Sequence, residues 1–426
     1  MYKQLNKEKN LVTFSVTADK TEFDAFITKA YEQNKSKFNV QGFRKGKAPR
    51  KVIEQNYGKD VFMEDALLEM ANAEYQKIIS ENLDLKPVAR PEIEVVNVSE
   101  QGAEIKIFIT VQPEVKLGAY TGLEIEKSQL KVEDAQISAE LEQIRARQAR
   151  FVPVEREVKM GDVTEIDFVG RVDGKEFDGG KAENYRLEIG SNSFIPGFED
   201  QIVGMNIGEK RTINVKFPDD YFSNDLKGKP AEFDVTLNKL EEKQLPELND
   251  DLASSVSEFN TLEELKADIK KNLEESVKNQ NRQNDENKIV ETIMASTEID
   301  IPEAMIQSQI DAQVQDFKER LSYQGFELEQ YLEMIGQTMQ TFRATQRELA
   351  EKSVKSQLVM TEIIKQEKLE VTKEDLEQKM QEIATKYEKT LEEYKKSISQ
   401  YELNYITNDI IITKLFDFLF KNNNLK

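Results

Sequence analysis

Neither cysteine nor histidine occurs anywhere in the 426 residues. The first absence excludes disulfides and thiolate-bound metals, and it permits a reducing compartment. The second removes the commonest general base, and the two together remove nearly every zinc site. Carboxylate, hydroxyl, lysine and arginine remain, so any catalysis must need little proton transfer, and neither a metal nor a cofactor is expected. No GxxxxGK[ST] phosphate loop is present either, which leaves no ATP site and points to work done by binding and release. Long apolar runs are also missing: no window reaches the roughly 18 uncharged apolar residues of a membrane span. The N-terminal MYKQLNKEKNLVTF has no apolar signal-peptide core, and IIITKLFDFLF is broken by Lys414 and Asp417. That last run reads as a buried C-terminal helix, and the expected setting is cytoplasmic, away from any membrane.

Charge is abundant but unbalanced. Charged residues make up 33% and hydrophobic ones 38%, with a formal net charge of -21. The apolar content suffices for folding, and the length gives room for about two to four domains. Ten of the eighteen glycines lie between Gly161 and Gly228, whereas after Pro246 only Gly325, Gly336 and Pro302 interrupt the chain. A turn-rich, strand-rich middle is thus set against a helical remainder.

The pattern over residues 1–112 is α+β. Val12, Phe14 and Val16 alternate as in a half-buried strand, and Phe23, Phe26, Ile27, Ala30 and Tyr31 follow at helical spacing after Asp19, a candidate N-cap. Helical pattern returns from Pro49 to about Asn82 with a break near Gly58, and EIEVVNV and AEIKIFITVQP alternate as strands joined around Gly102. Between the helical stretches lies GFRKGKAP. From Lys35 to Lys51 there are seven basic residues and no acidic one, the local footprint expected for a phosphate backbone within an otherwise acidic chain.

Val132, Ile137, Leu141 and Ile144 give a helix before the glycine-rich middle, and helical patterns resume near Thr261, with breaks at TEIDIPEA, SYQGFEL and KLEVTKED. None keeps clean heptads over four turns, which disfavours a long coiled coil. The simplest arrangement makes the middle an insertion in a discontinuous all-α domain with irregular helical arms. The expected boundaries are residues 1–112, then 113–149 together with 243–426, and 150–242 for the insertion.

Within the insertion, about five strands surround one short helix that starts after Pro196-Gly197 and carries Phe198, Ile202 and Met205 inward. The runs FDGG, IPGFEDQIVGMNIGEKRTI, FPDDY and AEFDVTLNKL, in that order, resemble the FK506-binding-protein (FKBP) family of prolyl isomerases. That resemblance implies an antiparallel sheet wrapped on the helix and a proline pocket lined by Phe168, Phe177, Asp178, Tyr185, Phe194, Ile195, Phe198, Tyr221 and Phe233. It also implies Phe198 as floor, Phe177 and Phe233 as walls, and the Ile195 N–H or the Tyr221 hydroxyl as the contact to the substrate carbonyl. Phe198 stands where many members carry Trp, and PDDYFSNDLKGKPAEF is short around the rim, which puts tight macrolide binding in doubt.

GFRKGKAP itself resembles the ribosome-docking signature of the trigger factor family of bacterial chaperones, whose domain order matches the whole chain. The resemblance implies that Phe43, Arg44 and Lys45 sit on a helix-loop-helix tip and touch a large-subunit tunnel-exit protein and rRNA. It further implies nascent and unfolded polypeptides as partners, held by the helical arms and the N-terminal domain, and leaves a homodimer off the ribosome open. Six of the eleven methionines (Met294, Met305, Met334, Met339, Met360 and Met380) fall in those arms, where pliable side chains suit varied apolar clients, though core packing explains any one of them as well. Two other readings fit less: a free prolyl isomerase whose flanking domains only present substrates, which would leave the basic tip unused, and a non-enzymatic helical scaffold or nucleic-acid binder with a degenerate isomerase fold.

Overall fold

The computed structural model describes residues 1–99, 101–221, 223 and 225–426; Glu100, and Phe222 and Asn224 in the run at the pocket rim, lie outside the described residues. Two compact units emerge, Met1–Ser128 with Gln283–Lys426, and Gln129–Arg282.

The first unit begins with strands β1 (Tyr2–Glu8) and β2 (Leu11–Asp19), helices α1 (Lys20–Asn34), α2 (Arg50–Tyr57) and α3 (Met63–Glu81), and strands β3 (Glu92–Ser99) and β4 (Gly102–Thr110). The strands form one antiparallel sheet in the order β1-β2-β4-β3. Alternation puts Val12, Phe14 and Val16 of β2 and Ile105, Ile107 and Ile109 of β4 on one buried face, where they meet Phe23, Ile27 and Ala30 of α1 and Met70 and Ile78 of α3. Asp19 caps α1 as its position predicts: its carboxylate accepts the Thr21 and Glu22 N–H groups at 2.8 and 2.9 Å, and Glu22 reaches back to the Asp19 N–H.

Short strand β5 (Glu124–Ile125) follows. The second unit then runs through α4 (Asp134–Arg147), β6 (Arg150–Pro153), β7 (Val163–Val172), β8 (Lys175–Glu188), α5 (Phe198–Ile202), β9 (Lys210–Lys216), β10 (Pro230–Gln244), α6 (Asp250–Val256) and the start of α7 (Leu262–Ser296). Its five strands are antiparallel, in the order β6-β10-β7-β8 with β9 also paired to β10. One face of this sheet wraps α5, so that Phe198, Ile202 and Met205 are buried against Ile166, Ile213, Val235 and Leu237. Leu141 of α4, Ala253 of α6 and Leu265 and Ile269 of α7 make a separate small core. Just before β7 the side chain of Asp162 is 4% exposed, and the Arg156 guanidinium donates to its two oxygens at 2.6 and 2.9 Å. Burial pushes that carboxyl up, but Arg156 and the Lys159 N–H outweigh it and hold it below the ordinary value.

The remainder of the first unit is α8 (Glu303–Tyr323), α9 (Leu328–Met334), α10 (Met339–Gln366), α11 (Lys373–Lys386), α12 (Leu391–Ser397), α13 (Gln400–Asn422) and β11 (Asn424–Leu425), which pairs in parallel with β5. Capping boxes at Thr338, Thr372, Thr390 and Ser399 start four of these helices. The three expected breaks fall between α7 and α8, α8 and α9, and α10 and α11. Leu415, Phe416 and Leu419 of α13 are buried with Ile293 and Ile363, so IIITKLFDFLF is a core helix. Among the described residues no helix is long and apolar enough to cross a membrane, and no group of three His, Cys, Asp or Glu could hold a metal ion. Met294 and Met380 are core residues, while Met334 is exposed.

Candidate functional site

Antiparallel pairing of β7 with β10 sets Gly170 opposite Phe233. The Phe233 ring lies over that glycine so closely that a Cβ there would come within 2.4 Å of it. The same device recurs on β8, where a Cβ on Gly180 would come within 2.8 Å of the Phe177 ring. The two rings meet edge to face at 6.0 Å, and Phe177 meets Phe217 at 5.7 Å. These walls enclose a cavity of about 340 Å³, completed by Phe194, Ile195, Tyr221 and the smaller Gly179, Ser193, Pro196 and Pro218.

Five of the nine expected pocket residues line this space: Phe177, Phe194, Ile195, Tyr221 and Phe233. Phe198 does not. It is 0% exposed, and the Phe194 ring stacks on it at 4.3 Å and 19°, so Phe194 supplies the surface expected of Phe198, which supports it from behind. Phe168 is likewise buried behind the lining, 5.2 Å edge-on to Phe194. Asp178 is exposed between two lining residues, and Tyr185, 40% exposed, lays its ring against Phe194 at 5.4 Å outside the cavity. Phe217 was not anticipated, although FPDDY contains it; its burial and its contact with Tyr221 at 4.7 Å depend on tertiary packing that spacing does not report.

Another residue the sequence did not single out is Glu199. Its side chain is buried, and it accepts the N–H groups of Gly190, Asn192 and Phe194 at 2.7, 3.1 and 3.2 Å and the Ser191 hydroxyl at 3.3 Å. Burial pushes this carboxyl up, yet the backbone donors of Phe194, Gly190, Asn192 and Ser193 outweigh it and leave it below the ordinary glutamate value. Among the described residues no acceptor takes the Ile195 N–H, at the lining of the cavity. The enclosure is therefore apolar and aromatic, with a backbone donor at its edge. That combination suits a group that must be desolvated and lightly oriented.

The basic stretch is built differently. Two tight turns follow each other between α1 and α2, closed by Phe43 N–H to the Val40 carbonyl at 3.1 Å and Lys47 N–H to the Arg44 carbonyl at 2.9 Å. Gly42 and Gly46 take φ of 88° and 77°, a region L residues rarely adopt, which lets the chain reverse. Val40 and Ala48 on either side are buried in the N-terminal core, and the Tyr57 and Tyr31 hydroxyls donate to the Asn39 and Ala48 carbonyls at 2.7 and 3.0 Å. Phe43, 41% exposed, Arg44 and Lys45 therefore project from a loop whose base is pinned. Among the described residues Arg44, Lys45 and Lys47 have no ion-pair partner, whereas Lys35 pairs with Glu32 and Arg50 with Asp24 and Glu54.

The chain is similar to known proteins along nearly all its length. The family model for FKBP-type peptidyl-prolyl cis-trans isomerase matches residues 154–238. Those for bacterial trigger factor protein and for its C-terminus match residues 1–144 and 261–421. Trigger factor of Thermoanaerobacter sp. (strain X514) is 44% identical over 415 residues, covering 97% of this chain and 96% of its own. That of Clostridioides difficile (strain 630) is 44% identical over 373 residues, 87% of each chain, and that of Acetivibrio thermocellus is 41% identical over 418 residues, 98% and 97%. A solved structure of the trigger factor chaperone, concerned with promiscuous substrate recognition in folding and assembly, aligns with 99% of both chains at 22% identity and a TM-score of 0.49.

Proposed function

The chain belongs to the trigger factor family, and from that premise we propose that its tip and its aromatic cavity are the two working surfaces of a ribosome-associated chaperone. The protein is a chaperone with an FKBP-type prolyl isomerase domain, and its family membership entails interaction with the ribosome and with nascent chains. The finer reading concerns where. Phe43, Arg44 and Lys45 dock on a large-subunit protein and rRNA at the tunnel exit, with the cytoplasm as the setting. The observation that carries this is a set of unpaired cations beside an exposed aromatic on a loop with a pinned base. Cations already paired within the fold would have to give up their partners before meeting phosphate; these do not. The domain division that goes with it is residues 1–112 for docking, 150–242 for isomerisation, and 113–149 with 243–426 for holding clients.

In the cavity, Phe177, Phe194, Phe217, Tyr221 and Phe233 surround the prolyl ring, and the Ile195 N–H or the Tyr221 hydroxyl meets the carbonyl before it. Rotation about the X-Pro bond takes on the order of tens to hundreds of seconds unaided because it breaks amide resonance. The twisted amide is less dipolar than the planar one, so a dry aromatic wall favours it relative to water. No proton transfer or covalent intermediate is required, in keeping with a chain that has neither histidine nor cysteine.

Changing Phe43, Arg44 and Lys45 together to Ala should abolish co-sedimentation with ribosomes while prolyl-peptide turnover stays at the parent rate. Retained co-sedimentation would sink the docking assignment. Conversely, Phe177→Ala should cut turnover tenfold or more and leave ribosome binding intact, and undiminished turnover would remove the cavity from consideration.

A further inference from the structure

We propose that Glu199 is a positioning residue for the isomerase cavity, holding Phe194 and Ile195 in place by gathering the backbone donors of the loop before them; this rests on the cavity being the prolyl site. Phe198 and Glu199 are adjacent on the first turn of α5 and work on the same segment from two directions. The Phe198 ring supports the Phe194 ring, at 4.3 Å, and the Glu199 carboxylate fastens the Phe194 backbone through its N–H at 3.2 Å. The Gly190 and Asn192 N–H groups and the Ser191 hydroxyl reach the same carboxylate. Local bonds also tie this loop, from the Ser191 N–H to the Glu188 carbonyl at 3.2 Å and between the Ser191 and Ser193 hydroxyls at 2.9 Å, but Gly190 and Asn192 take φ of 95° and 55°, a conformation no ladder of strand or helix bonds maintains. Its residues Ser193, Phe194, Ile195 and Pro196 then line the cavity in succession.

The chemistry of the acceptor is specific. Several N–H donors converge, so the centre must be an oxygen acceptor on both arms, which an ionised carboxylate supplies and an amide does not. Glu199→Gln keeps the volume but turns one arm into a donor facing donors. The loop must then reorganise, and the aim of the Ile195 N–H and the seat of Phe194 are lost with it. Misplacement by as little as about 1 Å at a reacting centre can cost on the order of a hundredfold in rate.

In the full-length protein, Glu199→Gln should lower kcat/KM for a prolyl peptide about tenfold or more, with the loss mainly in kcat. Glu199→Asp, which keeps two accepting oxygens on a shorter arm, should recover part of it. Combining Glu199→Gln with Phe194→Ala should cost less than the product of the single losses, because both act through the seat of one ring. Turnover of Glu199→Gln within twofold of the parent would overturn the proposal. So would Glu199→Asp falling as low as Glu199→Gln, since two accepting oxygens would then recover nothing, or single losses that multiply. Should Glu199→Gln fail to fold, Glu199→Asp decides through its coupling to Phe194→Ala. If Phe194→Ala turns over normally, the cavity itself is misassigned; if Phe194→Ala is impaired and Glu199→Gln is not, only the role of Glu199 falls.

Discussion

At the tip, Arg44, Lys45 and Lys47 stand exposed over the buried anchors Val40 and Ala48, whereas in the cavity the lining rings of Phe233 and Phe217 are also packed core. The tip separates its exposed groups from the parts that fold. The cavity merges them: Phe233 closes the pocket and at the same time contacts Phe168 and Phe198 in the domain interior. On the proposed roles, the difference follows from the kind of partner. A phosphate backbone is met by charge that must stay hydrated until contact, so its receptor has to be outside. A prolyl amide is helped over its barrier by removal from water, so its receptor has to be part of an interior.

The contrast makes its largest prediction at Phe233. At 4% exposure its truncation to alanine should cost the isomerase domain about 3–5 kcal/mol as well as nearly all turnover, because one side chain serves both ends. Phe43→Ala should change unfolding free energy by no more than about 0.5 kcal/mol while weakening ribosome association. Denaturant titrations of the two variants settle this. A Phe233→Ala variant as stable as its parent would mean that the wall is not core after all.

A smaller effect is expected one strand away. Gly170→Ala adds a single methyl group on β7 where 2.4 Å separates it from the Phe233 ring. The ring must shift from its seat in the wall, and overpacking of this kind costs about 1–3 kcal/mol. Turnover should fall about tenfold with ribosome co-sedimentation unaltered. Normal turnover, or a crystal structure with the ring unmoved, would show that the glycine does not shape the wall.

How much of this could be read from the sequence depends on whether a residue's role follows from its own neighbours in the chain. Val12, Phe14 and Val16, the Asp19 cap and the arm breaks at TEIDIPEA, SYQGFEL and KLEVTKED were legible, since alternation, capping chemistry and loss of helical period are local. Strand β1 was not: YKQLNKE is mostly polar, with only Tyr2 and Leu5 apolar, and forms an edge strand exposed along nearly all its length, so no alternation marks it. The aromatic run around α5 announced a pocket, yet which ring faces the cavity and which backs it, Phe194 or Phe198, is decided by stacking between the loop and the helix. Glu199 was illegible for a related reason. A carboxylate beside another acid in FED reads as solvated surface until the loop folds its N–H groups onto it.

The basic stretch shows the same limit at single-residue scale, and there the comparison can be sharpened furthest. Lys47 and Arg50 are indistinguishable as members of a basic cluster. In the structure Lys47 is exposed without an ion-pair partner, while Arg50 is spent inside the domain, 2.8 Å from Asp24 and 2.6 Å from Glu54, with a further bond to Thr28 at 3.1 Å. Lys47→Ala should therefore weaken ribosome association a fewfold and flatten the dependence of log K on log salt by about 0.7–0.9, the slope of one phosphate contact. Arg50→Ala should leave that slope alone and lower the stability of the N-terminal domain by about 1 kcal/mol, because both carboxylates it serves remain partly exposed. A change of slope in Arg50→Ala, or none in Lys47→Ala, would show that the partner sees the sequence cluster as a whole, and that freedom from internal pairing is not what selects the docking residues.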